Sequence, residues 1–127
     1  MTDERRERIP PDSRLRSAAE FAGLKARGRA ARGSHCLLVA EECPGEPTKV
    51  AFVASKRGVG GAVQRNRARR RLREIVRRRW WVIRPRGVHM MFVAFRSALT
   101  APHDDLVRDV DRLLSQVGAT RPVEERS

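Results

Sequence analysis

Cysteine is scarce in this chain of 127 residues, with only Cys36 and Cys43 present. Two cysteines cannot make a disulfide framework, and neither has His or Cys partners at zinc-site spacing. The scarcity points to a reducing, cytoplasmic setting. Apolar runs are missing as well: the opening MTDERRERIPPDSR has no apolar stretch, and nowhere do about eighteen apolar residues follow one another. The expectation is a protein with neither a standard signal peptide nor a membrane span. Lysine is rare, limited to Lys25, Lys49 and Lys56, although Lys plus Arg reach 28 against 15 Asp plus Glu. Arginine therefore carries nearly all of the net charge of +13. Such a chain seeks a polyanion.

A hydrolytic constellation is missing too. His35, His89 and His103 are scattered, and none pairs with another at a nuclease-like spacing. Glu41 and Glu42 close a β-prone run, while Asp104, Asp105, Asp109 and Asp111 fall in the last helical segment, where the first two suit a helix start. The spacing yields no catalytic residue and no metal-binding carboxylate cluster.

What is present reads as one α/β domain with a modest core, the chain being 40% hydrophobic. Residues 1–13, charged and carrying Pro10 and Pro11, read as a disordered lead-in; the domain spans 14–118, and 119–127 form a flexible tail. SAAEFAGLKARG (17–28) has a Ser17 cap, Glu20 three residues on and a Gly28 stop, so it predicts a short helix. SHCLLVAE (34–41) and KVAFVAS (49–55) are β-prone and flank the loop ECPGEPT, together suggesting a hairpin with a long loop. VHMMFVAF (88–95) is a third strand. Pro102, the early acids, Leu106, Val110, Leu113, Leu114 and Val117 on one side, and Gly118 mark a last helix.

Between these elements lies GGAVQRNRARRRLREIVRRRWW (60–81), crowded with arginine and relieved by a single acid, Glu74. At 100° per residue, Arg65, Ala68, Leu72, Ile75, Val76 and Arg79 fall on one side, and Asn66, Arg69, Arg70, Arg73 and Arg77 on the other. The pairs Arg69/Arg73 and Arg73/Arg77 repel at i,i+4 spacing, so the counter-charge should come from outside the domain. A solvated charged face is the usual reading of a Lys/Glu mixture. Nearly unrelieved arginine instead favours nucleic-acid backbone, because its planar fork bonds phosphate bidentately and stacks on unpaired bases.

VASKRGVGGAVQRNRARRRLRE (53–74) resembles the signature of the protein subunit of bacterial ribonuclease P, in which a Ser-Lys-basic stretch leads through Gly-x-Ala-Val to Arg-Asn-Arg and a basic helix. EFAGLKARG resembles the family's first helix, and the order of elements agrees over roughly 14–118. The resemblance implies a two-layer α/β sandwich, an α+β fold with a small mixed sheet and about three helices. It also implies kinship to a domain of a small-subunit ribosomal protein and a left-handed βαβ crossover. The family has four strands; the sequence locates three. Three positions depart from the family: Gly61 where many members have Asn, Lys25 at a second aromatic of the first helix, and Val39 at a strand aromatic.

The family's activity is removal of the 5′ leader of precursor tRNA, performed by an RNA subunit and its magnesium ions. The resemblance accordingly makes the protein RNA-binding and, by itself, not catalytic. It assigns RNA contact to Lys56, Arg57, Arg65, Asn66, Arg67, Arg69, Arg70 and Arg73, with Gly58, Gly60 and Gly61 letting backbone approach phosphate. Phe21, Lys25, Phe52 and Phe92 are candidates for the leader cleft, although Arg65 and the three phenylalanines also suit core positions. The implied partners are the catalytic RNA and precursor tRNA, with no membrane and no obligate protein partner. A basic ribosomal or general RNA-binding protein explains the charge but not the whole signature, and a self-sufficient nuclease would need a site the sequence does not offer.

Overall fold

The computed structural model describes residues 8–126. Helix α1 (Ala18–Arg27) starts where the sequence predicts: the Glu20 amide donates to Ser17 Oγ at 3.1 Å while the Ser17 amide donates to the Glu20 carboxylate at 3.1 Å. This reciprocal capping satisfies two of the orphan donors of the first turn. Strands β1 (Arg29–Arg32), β2 (Cys36–Pro47), β3 (Lys49–Val53) and β4 (Arg86–Ala94) form one sheet in the order β1, β2, β4, β3. β4 runs antiparallel to β2 and parallel to β3, and helix α2 (Ala62–Arg78) makes the crossover between β3 and β4. Helix α3 (His103–Gln116) follows β4, and a 3-10 turn at Val123–Glu125 comes last.

Alternation along the strands divides the sheet into two faces. Leu38 and Ala40 of β2 and Val88, Met90 and Phe92 of β4 are wholly buried and join Ala68, Leu72, Ile75 and Val76 of α2 and Leu106, Val110, Leu113 and Leu114 of α3 in one core. The opposite face carries α1 at one end, held by Arg27 to Glu41 at 2.6 Å and Lys49 to Glu20 at 2.5 Å. Beside it Leu37, Val39, Met91 and Val93 are only half-buried. Among the described residues the architecture is an α+β sandwich with a four-stranded mixed sheet and three α-helices.

Several expectations change. The proposed hairpin of 34–41 with 49–55 does not exist, because β4 lies between β2 and β3; strand propensity identifies strands but not their partners. The ECPGEPT loop is extended chain continuing β2 to Pro47, with a register shift between Glu42 and Pro47 that accommodates its prolines. The strand that the sequence missed, β1, reads RAAR and lacks β-branched or aromatic residues; it forms by pairing with Leu37–Ala40. The expected tail is part of the domain as far as it is described: Ala119 is fully buried, Thr120 bridges Ile83, and the Arg121 amide donates to Val82 O at 2.7 Å. Of the disordered lead-in, residues 1–7 lie outside the described residues. Residues 8–13 pack on the domain, with Ile9 in the core and a 3-10 turn at Pro11–Ser13. Beyond them the Leu15 amide donates to Val50 O at 3.1 Å, so the segment covers the outer edge of β3.

Asp109 of α3 fastens the turn between β1 and β2. Its carboxylate accepts the Ser34 amide at 2.9 Å and the His35 amide at 2.8 Å, and is met by Arg112 at 3.1 Å and the Cys36 thiol at 3.6 Å. Burial pushes this carboxyl up, but the hydrogen bonds from His35, Ser34, Arg112 and Cys36 outweigh it and hold the pKa below its ordinary 3.8. Gly33 permits the approach, since a Cβ there would lie 2.5 Å from both carboxylate oxygens. Burial and the same carboxylate drive the Cys36 thiol up to about 12, leaving an inert apolar filler.

Asp109→Ala should destabilise the protein by about 2–4 kcal/mol, because two backbone donors lose their acceptor, whereas Asp109→Asn should cost less; urea unfolding measures both. Acid titration gives a second check. Glu20, held down to about 2 chiefly by the hydrogen bond from Lys49, contributes stability that is complete above its ordinary 4.5 and lost as pH falls through about 2. Unfolding free energy should therefore decline across that window, and Glu20→Gln should flatten the decline.

Candidate nucleic-acid interface

The basic surface is built on the first turns of α2 and the turn that precedes it. After β3 the chain folds back on Ser55, whose Oγ accepts the Gly58 amide at 2.8 Å and whose carbonyl accepts the Val59 amide at 2.9 Å. Val59 is fully buried and anchors the turn, while Lys56 and Arg57 on its outer side are exposed. Gly60 has φ +140°, a conformation closed to L side chains. Gly61 is the N-cap of α2 and supplies no side-chain cap, so the helix presents its first amides and the positive end of its dipole beside these cations. Val63 in the first turn is 79% exposed, a position that sequence reading passed over.

Along α2 the arginines divide by what they touch. Arg71 donates to the carbonyls of Ala98 at 2.7 Å and Ala101 at 2.6 Å, tying the helix to the 3-10 turn Arg96–Leu99. Arg79 pairs with Asp111 of α3 at 2.6 Å. Arg77 pairs with Glu74 at 3.0 Å, and the hydrogen bond from Arg77 holds the Glu74 carboxyl below its usual range. The nominated Asn66, Arg67, Arg70 and Arg73 are exposed, as are Lys56 and Arg57. Arg69 is half-buried and donates to Asn66 Oδ1. Arg65 is half-buried, with Nε buried and lacking a hydrogen-bond partner, which fits its place toward the apolar side. Among the described residues no carboxylate pairs with Lys56, Arg57, Arg67 or Arg70.

A groove of about 480 Å³ runs along β3 between α1, the N-terminal segment and α2. Phe21 and Phe52 both line it, together with Arg73. The Arg73 guanidinium lies 5.7 Å from the Phe52 ring centroid, within cation–π range. Arg14, Arg16 and Arg77 also line this groove and were not nominated from sequence; the pairing of the N-terminal segment with β3, which brings the first two there, has no local sequence signal. Lys25 is exposed one turn on from Phe21 and does not line the groove.

Phe92 must be corrected. It is fully buried on the core face of central strand β4 and stacks behind Phe52, with centroids 5.8 Å apart and planes 13° from parallel. It therefore supports the groove from within and offers no surface to a ligand. Elsewhere the sheet assembles a group that spacing alone concealed: donor atoms of Glu41, Cys43 and His89 lie within 4.8 Å of one another.

Among the described residues no helix is long and apolar enough to cross a membrane. The Ribonuclease P family model matches residues 9–118. The Ribonuclease P protein component of Symbiobacterium thermophilum is 37% identical over 106 residues, covering 83% of this chain and 90% of its own. That of Streptomyces bikiniensis is 39% identical over 126 residues, covering 89% of this chain and 99% of its own. In fold the chain is similar to the RNase P protein of Staphylococcus aureus, with a TM-score of 0.74 and 16% identity over 86% of this chain and 98% of that one. The Thermotoga maritima RNase P protein gives a TM-score of 0.71 and 20% identity over 82% of this chain and 96% of that one. With the basic helix, its leading turn and the mixed sheet in the family's order, the chain belongs to the ribonuclease P protein family.

Proposed function

We propose that the chain is the protein subunit of a ribonuclease P ribonucleoprotein, an endoribonuclease in which a partner RNA performs the cleavage that matures tRNA 5′ ends. The observation that carries this reading is the set of exposed cations at the start of α2, Lys56, Arg57, Arg67 and Arg70, which have no carboxylate partner among the described residues. Phosphates of the catalytic RNA supply the missing counter-charge, with Asn66, Arg69 and backbone amides of the helix start adding hydrogen bonds. Arg65 is directed by its partly buried position toward holding the helix.

The 5′ leader of precursor tRNA lies, in this reading, along the groove that contains Phe21 and Phe52. Single-stranded bases stack on the rings while Arg14, Arg16 and Arg73 meet the backbone. Lys25, beside the groove on α1, meets leader phosphate farther along. Arg73 belongs to both surfaces, so the catalytic RNA and the leader meet across one side chain. Magnesium sits on the RNA partner. The α2 face does not fit a magnesium cage, since its carboxylate Glu74 is held by Arg77 and hard cations want several oxygens. The protein works in the cytoplasm with these RNA partners.

Purified protein alone should not cut precursor tRNA, whereas protein plus a bacterial ribonuclease P RNA should cut it at near-physiological magnesium. Cleavage by RNA-free protein would overturn this division of labour. For RNA-subunit binding, the double substitution of Arg67 and Arg70 by Ala should flatten the slope of log affinity against log salt by about 1.4 to 1.8 with the fold intact. An unchanged slope would make these arginines solvated surface. Phe21→Ala holoenzyme, after circular dichroism shows folded protein, should lose about 1–3 kcal/mol of affinity for precursor tRNA and almost none for mature tRNA. Equal losses would put the leader elsewhere.

A further inference from the structure

His89 faces the side of the sheet that carries α1, where it lines a cavity with Glu20 and Arg27. It lies on central strand β4 and is only 3% exposed. Its Nε2 is buried and has no hydrogen-bond partner, the Glu46 carboxylate standing 3.8 Å away. A buried imidazole nitrogen left unmatched is costly, and most such atoms find a partner. The surroundings show which kind of partner fits. Glu41 is the cross-strand neighbour of His89, and Cys43 follows two residues later on β2. One donor atom from each of Glu41, Cys43 and His89 falls within 4.8 Å of the other two. All three line a cavity of about 370 Å³ with Glu46.

We propose that Cys43 Sγ, His89 Nε2 and the Glu41 carboxylate form a binding site for one zinc-type divalent metal ion, with Glu46 or water completing the coordination. The donor set selects the metal class. Thiolate, imidazole and carboxylate together suit a borderline ion such as Zn²⁺ or Co²⁺, whereas Mg²⁺ and Ca²⁺ take oxygen ligands. Zinc–ligand bonds of about 2.0 to 2.3 Å place tetrahedral donors about 3.3 to 3.8 Å apart, so these atoms need to draw together by about 1 Å. Side-chain rotation at half-buried Cys43 and exposed Glu46 supplies that movement.

The outer shell is already in place. Arg27 Nε donates to Glu41 Oε1 at 2.6 Å and fixes the carboxylate, leaving Oε2 for a metal. Glu20 also lies near His89, but it is committed to Lys49 at 2.5 Å and to the cap of α1. It contributes negative charge and no ligand. On binding, Cys43 gives its thiol proton to solvent and the sulfur donates its lone pair to the metal. The ion would pin the irregular stretch of β2 after Glu42 onto β4, at a site distinct from every surface assigned to RNA.

Cobalt titration of the metal-free full-length protein tests the site, since a cysteine–cobalt bond produces a thiolate-to-cobalt charge-transfer band. One equivalent of Co²⁺ should raise the band, and Zn²⁺ should displace it. Cys43→Ser should abolish the band and weaken zinc binding by more than about tenfold, with circular dichroism unchanged. Cys36→Ala should retain the band. Glu46→Gln, on the exposed side, reads the fourth position without disturbing the core. If wild-type protein shows no band with excess cobalt, or if the band survives in Cys43→Ser, the proposal is overturned and His89 is a core histidine facing Glu46.

Discussion

Helix α2 has to bury one face in a hydrophobic core while like charges crowd the rest of its surface, and the arrangement of the molecule depends on how that conflict is met. Ala68, Leu72, Ile75 and Val76 lock the helix against β3, β4 and α3. Each like-charged i,i+4 pair weakens an isolated helix by a few tenths of a kcal/mol, so packing must carry what local preference does not. The protein relieves part of the repulsion internally: Arg71 is spent on two carbonyls, Arg77 on Glu74, and Arg79 on Asp111. These bonds all lie beyond the Asn66–Arg67 turn. Lys56, Arg57, Arg67 and Arg70, around the start of the helix, keep no carboxylate partner among the described residues, and there the helix dipole adds to their charge.

The second consequence of placing α2 between parallel neighbours is an exposed outer edge on β3. Covering that edge with the N-terminal segment removes an open row of backbone groups. It also brings Arg14 and Arg16 opposite Arg73, so edge protection and groove formation are one event. The groove's rings differ in rank. Phe52 is partly exposed and backed by Phe92, while Phe21 comes from another layer of the molecule.

What the sequence made legible follows from how local each determinant is. The capping box of α1, the apolar stripe of α2 and the stop after α3 are written within a few residues of where they act, and all were readable. The Arg-Asn-Arg signature carried the family. Strand order was not readable, because β2 and β3 have equal claims on each other until β4 is known to insert. β1 was invisible, since Ala30 and Ala31 gain their strand character only from pairing. The misplacement of Phe92 had a cue that was passed over: in VHMMFVAF the polar residue is His89, and alternation from it sends Met90 and Phe92 to the other face. The Glu41–Cys43–His89 cluster has no linear spacing to detect, because it is a product of the β2–β4 register. Arg71 could not be separated from its neighbours by composition, since its partners are backbone carbonyls distant in sequence.

The central position of β4 also sets a schedule for synthesis. β1, β2 and β3 all leave the ribosome before β4; β1 can pair with β2 at once, but the other edge of β2 and the inner edge of β3 both wait for residues 86–94. During that interval the chain displays two open strand edges and then the arginine-rich segment, whose apolar stripe still lacks the completed sheet. Mutual repulsion among those arginines keeps nascent chains apart at the stage when exposed strand edges would otherwise draw them together. The charge of this helix thus serves as the chain's own protection against aggregation before the sheet is complete.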